Sequence, residues 1–357
     1  MSNSGRNINH SNLRVLDDNF RLLISEGVNQ LARTSAYIES FSEVLHGNII
    51  ERDDYIDNLK LTIENQCFTT LSRLGSEEKE KIAHLRARQI ICVNLERIAD
   101  YCVNICKQVD FLSNREFWRS FFPRPMSSLI EKSLNLVDQA LTEGDIAKAM
   151  LICRSESELD EMFTQNFRKI MVFLREGKEV DTCVTILFIF RYLERMGDAL
   201  LNIGEAILLA ILGEKIKIRQ FEALQHTLCH ADIGIAPERL EVNSFWGNRS
   251  GCNISRIGGS QPGGAGEKRQ EGLFKSGNRE KIVRERNNIE KWTMIMPGLV
   301  PRVYSFHEDG NCSSMLVEFI AGETLESIII TRPLPQVVEV LRKLEDTLRE
   351  VWKKSLL

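Results

Sequence analysis

An eleven-residue segment occurs twice in this chain, and it limits the available folds more than any other feature. Leu95, Glu96, Arg97, Asp100, Asn104 and Ile105 recur 98 residues later as Leu193, Glu194, Arg195, Asp198, Asn202 and Ile203. Identity at six of eleven positions, across a domain-sized gap, implies a duplicated structural unit. At 100° per residue, Glu96, Asp100 and Asn104 form one stripe along a helix, with Ile91, Ile98 and Ile105 on the opposite side. Glu194, Asp198 and Asn202 repeat the stripe, with Met196, Ile203 and Ile207 opposite. The polar groups are therefore expected on an outward face and the isoleucines in a core. Asp is mildly unfavourable inside a helix, so its use twice at one position points to a task.

A carboxylate pair at i,i+4 means little by itself. The 50 acidic residues among 357 produce about seven such pairs by chance, most of them on solvated faces. What distinguishes these two is a second pair upstream of each, Asp53 with Asp57 and Glu156 with Asp160, in the same order and at similar distance. Acidic groups this close repel one another unless a cation offsets them. A metal could do so, or Arg97 and Arg195 one residue along. No Ser/His or Cys/His arrangement nearby suggests covalent catalysis.

Apolar spacing divides the first 225 residues into helices. One runs from about Leu13 to His46 and is broken at Gly47-Asn48. A second spans about Ile49 to Leu74, with Gly75-Ser76 as C-terminal glycine and following N-cap. A third, about Glu77 to Leu112, carries the first motif. After Phe121-Phe122-Pro123-Arg124-Pro125 come Met126 to Thr142, Asp145 to Glu176 and, beyond Gly177, Val180 to Ile218 with the second motif. Two three-helix units result. A hydrophobic share of 43% is enough for proper cores, and a net charge of −4 with no basic aromatic stretch gives no sign of nucleic acid. Nine cysteines without a Cys-x-x-Cys pair suggest free thiols in a reducing, cytoplasmic setting. Residues 1–12 are polar and are expected to be disordered. Cys183 to Gly213 is the most apolar stretch, but charged residues interrupt it, so it reads as a bundle helix rather than a membrane span.

With the doubled Glu-Arg-x-x-Asp-x-x-x-Asn in place, residues 13 to about 222 resemble the PhoU family of phosphate-transport accessory and regulatory proteins. The resemblance implies a mainly α fold of two tandem three-helix bundles, here residues 13–118 and 119–225, and surface metal sites. One site would comprise Asp53, Asp57, Glu96 and Asp100, the other Glu156, Asp160, Glu194 and Asp198; Asn104 and Asn202 also fit the pattern. Such all-oxygen sets favour iron, manganese or magnesium over zinc. The implied partners are the phosphate transporter's ATPase or a sensor histidine kinase, with a homodimer as a possible assembly. The implied role is regulation of phosphate uptake in the cytoplasm rather than catalysis.

After a linker at 226–237, the composition shifts to glycine-rich sequence. Leu273-Phe274-Lys275, a charged helix over about Arg279 to Thr293, and two alternating runs around Asp309-Gly310-Asn311 that read as a β-hairpin follow. Residues 238–357 thus resemble a partial N-terminal lobe of an aminoglycoside-phosphotransferase-like kinase, a small α+β unit. That resemblance implies a phosphate-covering loop at Gly247 to Asn253, Lys275 paired with Glu285 for weak ATP binding, and a hinge at Leu316 to Gly322. The competing function is a small-molecule phosphotransferase with a helical regulatory domain, but no His-x-Asp-x-x-x-x-Asn follows Gly322. His226 with His230, and Cys102 with Cys106, are spaced for a metal or for redox chemistry. They are read instead as a helix end and as small apolar packing residues.

Overall fold

The computed structural model describes residues 4–121, 123–229, 241–244, 252–260, 269–309 and 312–355. The chain divides into two compact units, residues 1–218 and 219–357. The first is helical throughout: α1 (Ser4–Ser40), α2 (Glu43–Leu71), α3 (Lys79–Val109), a single turn α4 (Arg115–Trp118), α5 (Arg124–Glu143), α6 (Ile146–Arg175) and α7 (Val180–Leu212). α1, α2 and α3 pack together as one triplet and α5, α6 and α7 as another. The two triplets join through α3 against α7, so the repeated motifs lie on the two central helices of one body. Ile91, Ile98 and Ile105 are fully buried, as are Met196, Ile203 and Ile207. Each such side chain contributes about 1.5–3 kcal/mol of burial.

Several boundaries differ from the sequence reading. Residues 4–12, expected to be disordered, belong to α1. The first break falls at Phe41-Ser42 rather than at Gly47-Asn48, and Gly47 lies inside α2. Tertiary contacts fix this turn. Phe41 adopts a left-handed φ of 56°, and Arg115 lies over its ring at 4.5 Å. Asp110 accepts from the Tyr37 hydroxyl at 3.1 Å and approaches His46 on the far side at 3.4 Å. The residue preceding α3 is Glu78 rather than Ser76, and its carboxylate accepts from the Gly75 N–H. The last long helix stops at Leu212, six residues short of Ile218, because Gly213 turns left-handed (φ 73°). Glu205 then captures the returning chain, accepting from the Ile218 N–H at 3.2 Å and pairing with Lys217 at 2.7 Å. Gly144 and Asp145 act as expected: Gly144 is left-handed, and Asp145 caps α6 by accepting from the Lys148 N–H.

The second unit contains α8 (Ile218–Cys229), β1 (Glu241–Ser244), β2 (Asn253–Ser260), β3 (Arg269–Asn278), α9 (Arg279–Ile295), β4 (Val303–Asp309), β5 (Cys312–Glu318), α10 (Leu325–Thr331) and α11 (Leu334–Ser355). Residues 226–229, assigned to a linker by composition, are helical. The strands form one antiparallel sheet in the order β1-β2-β3-β5-β4. β4 and β5 pair with Asp309 opposite Cys312, so the two alternating runs do form a hairpin, although Gly310 and Asn311 lie outside the described residues. α9 packs Ile282 and Ile289 against Met315 and Val317. Residues 247–251 of the glycine-rich loop and His230 also lie outside the described residues. No helix among the described residues is long and apolar enough to cross a membrane.

Candidate metal centre

α2 and α3 bring three carboxylates together. One oxygen each from Asp57, Glu96 and Asp100 lie within 4.8 Å of one another, the only such trio of His, Cys, Asp or Glu among the described residues. Asp53, one turn before Asp57, completes the set electrostatically. Burial, followed by Asp100 and Asp57, pushes its carboxyl up to about 6. Burial and then Asp100 raise Glu96, while burial and then Asp57 raise Asp100. Crowded anions in a half-buried site thus resist ionisation, as the sequence spacing suggested.

The cations at this site were not picked out from the sequence. Lys60 approaches Glu96 only at 3.9 Å, and Lys107 lowers Asp53 and Asp100 from a distance. Their spacing was a usable signal, since Lys60 follows Asp57 by three residues and Lys107 follows Asp100 by seven, each on the acidic face. Neither satisfies the oxygens. Asp53 Oδ1 and Asp57 Oδ1 are buried and accept no hydrogen bond. Unpaired buried carboxylate oxygens cost free energy that a bound cation would recover. An all-oxygen donor set with orphaned atoms fits a hard divalent or trivalent ion.

The matching residues of the second triplet, expected to form an equivalent site, are arranged differently. Glu194 is buried, with Arg191 2.7 Å away. Asp198 accepts a hydrogen bond from Arg195 at 2.9 Å. Asp160 is exposed and Glu156 half-buried, and the four carboxylates make no metal-sized group. Burial still raises Glu194, with Asp198 and Asp160 adding to it and Arg191 opposing. Arginines thus pair with the carboxylates on α7, whereas on α3 Arg97 makes no ion pair among the described residues and only weakly opposes the rise of Glu96. Asn202 departs from the pattern as well. Its amide crosses to Asn94 on α3 at 3.3 Å, and Asn94 is itself buried.

In the second unit, the ammonium of Lys275 on β3 contacts a carboxylate oxygen of Glu285 on α9. His226 stacks on His307 at 4.8 Å with rings nearly parallel, in an aromatic contact. Cys102 and Cys106 are buried thiols whose pKa burial pushes up to about 12, far from a reactive thiolate.

The family model for the PhoU domain matches residues 22–109 and 124–207, one match on each triplet. A phosphate-specific transport system accessory protein PhoU homolog of Zymomonas mobilis is 31% identical over 212 residues, which is 56% of this chain and 86% of that relative. The chain belongs to the PhoU family. A PhoU homolog of Clostridium acetobutylicum is 25% identical over 221 residues, 60% of this chain and 98% of the relative. The solved phosphate transport system regulatory protein PhoU from Streptococcus pneumoniae superposes with a TM-score of 0.53 at 20% identity, over 57% of this chain and 97% of that one. PhoU from Pseudomonas aeruginosa gives 0.52 at 18% identity, over 57% and 99%. These two likenesses establish the shared helical fold.

Proposed function

We propose that this PhoU-family chain regulates phosphate uptake from the cytoplasm, without catalysis of its own. A hard metal ion (iron, manganese or magnesium) held by Asp53, Asp57, Glu96 and Asp100 would organise the surface it presents. Family membership supports the role, and the relatives' names connect them to phosphate-specific transport. The convergence of Asp57, Glu96 and Asp100, with orphaned oxygens beside it, supports the metal. The partner is then the phosphate transporter's ATPase or the sensor histidine kinase of the same response. Binding a cation there would neutralise a cluster of like charges and so change what that face can dock against. The test is phosphate uptake by cells lacking the gene, complemented either with the wild-type chain or with Asp57→Asn/Asp100→Asn. Loss of restraint in phosphate-replete medium, corrected by the wild type alone, is expected. Unchanged uptake in the deletion strain refutes the role, and full rescue by the double variant refutes the metal.

We infer in addition that residues 238–357 are related to the N-terminal lobe of aminoglycoside-phosphotransferase-like kinases. Support comes from the five-stranded antiparallel sheet with α9 between β3 and β4, and from the Lys275–Glu285 contact. In such a lobe that lysine meets nucleotide phosphate and the glutamate positions it. The family matches fall within the helical unit, and nothing in them supports phosphotransfer as the function of the whole chain. Titration with labelled ATP tests the lobe. Weak saturable binding lost in Lys275→Ala is expected, and its absence removes the reading.

A further inference from the structure

The first triplet contains a cavity of about 830 Å³ that the carboxylates do not share. It lies between the start of α1, the end of α2 and the start of α3. Thr69 on its wall is twelve residues past Asp57, about 18 Å along α2. The volume is in the range that holds a small organic molecule.

Its lining has two characters. Leu13, Leu74 and Leu85 supply apolar surface from three different segments. Arg73, Lys81 and Arg88 supply three cations. Two of these are already held by carboxylates. Arg88 is fixed by Asp17 at 2.6 Å, with its guanidinium over the Phe20 ring, and Lys81 pairs with Glu78 at 2.6 Å. Arg73 makes no ion pair among the described residues. It lies in the turn just past the end of α2; Asn65 and Thr69, one turn apart on α2, also line the cavity, and their side chains likewise make no hydrogen bond among the described residues. Neutral donors, a guanidinium with no ion pair among the described residues and leucine side chains thus line one cavity. His84, also in the lining, is held below its usual value, mainly by burial and then by Arg88.

We propose that this cavity binds an amphiphilic organic anion, a carboxylate or phosphate monoester with a short apolar body. The anionic head pairs with Arg73 and accepts from Asn65 and Thr69, and the body covers Leu13, Leu74 and Leu85. A bare inorganic anion leaves the leucines in water, and a neutral alcohol leaves Arg73 without its partner. Each lacks one of the two contributions, so both bind more weakly than the combined molecule. The site is independent of the metal reading, since it shares no residue with it.

The test is isothermal titration of the full chain with octanoate, octyl phosphate, octanol and inorganic phosphate. Saturable one-to-one binding of at least one of the two amphiphilic anions is expected, and the tighter of them identifies the head group. Octanol and inorganic phosphate should each bind at least about tenfold more weakly. Arg73→Glu, at an exposed position, should weaken the anion at least about tenfold, and Thr69→Trp, which fills the cavity, should abolish it. Equal binding of octanol would mean a plain apolar crevice, and equal binding of inorganic phosphate a plain anion site. Either result overturns the proposal, as does no saturable binding, or binding that survives both substitutions in chains with wild-type circular dichroism.

Discussion

The acidic stripes of α3 and α7 carry the same Glu, Asp and Asn at the same spacing, yet their carboxylates have different neighbours. On the α3 side Lys60 reaches across from α2 to Glu96 at 3.9 Å, and three carboxylates remain gathered. On the α7 side Arg191 sits 2.7 Å from Glu194 within one helix and Arg195 engages Asp198. The substitutions behind this are specific. Val93 stands in α3 where Arg191 stands in α7, and Lys60 stands in α2 where Phe163 stands in α6. Arg191 lies over that Phe163 ring, 5.7 Å from its centre. One repeat takes its cation from the neighbouring helix and the other from its own, and among the described residues only the first gathers three carboxylates within reach of one ion.

Packing differs between the repeats in the same direction. Where α3 has Ala99 and Cys106, α7 has Gly197 and Gly204. A Cβ at Gly204 would lie 2.3 Å from Cys153 Sγ and 2.9 Å from the Ala149 carbonyl; one at Gly197 would lie 3.3 Å from the Glu156 Cα. The two glycines let α6 approach α7 backbone to backbone. That close approach accompanies the burial of Glu194, and a buried carboxylate requires a paired cation.

The largest expected effect tests the metal asymmetry. Asp100→Asn should weaken metal binding by about a hundredfold, whereas Asp198→Asn should change it by less than about twofold. Elemental analysis and titration after chelation measure both, and equal losses would restore two equivalent sites. The converse is Arg191→Gln/Arg195→Gln, which should allow the second stripe to take up metal and raise the bound equivalents. An unchanged count would show that arginine pairing is not what excludes the ion.

Next in size is the packing difference. Gly204→Ala should cost about 2 kcal/mol, because two of the three atoms its Cβ meets are backbone and cannot swing aside. Ala99→Gly, the reverse exchange on α3, should cost only about 1 kcal/mol through helix propensity. Urea unfolding of the two variants compares them directly.

A smaller effect concerns pH in the metal-free protein. The folded chain holds Asp53 at about 6, above its ordinary carboxylate value of 3.8. Stability from this group is therefore fully present below pH 3.8 and lost as pH rises through about 6. Asp53→Asn should stabilise the metal-free chain at pH 7 by about 1 kcal/mol after solvent screening, and by nothing at pH 3.5. A gain of equal size at both pH values would assign the effect to packing. Smallest of all is Arg195→Ala. Both partners of its ion pair are nearly half exposed, so the change in stability should stay within about 0.5 kcal/mol, and thermal melts at low and high salt would detect anything larger.

The sequence alone determined the duplicated helical architecture, the buried isoleucine faces and the acidic character of both stripes. Helical periodicity fixes which side chains share a face, and that information is local. It also placed the β3 lysine, the α9 glutamate and the β4–β5 hairpin in order along the chain. Tertiary structure decided where α1 ends, since the turn at Phe41 depends on Asp110 and Arg115 from distant segments. It also decided that the two stripes are unlike. Lys60, Val93, Phe163 and Arg191 can be read in the sequence, but their charges matter only once α2 lies beside α3 and α6 beside α7. Electrostatic neutralisation depends on distances of a few ångströms between helices, and the spacing within one helix cannot encode them.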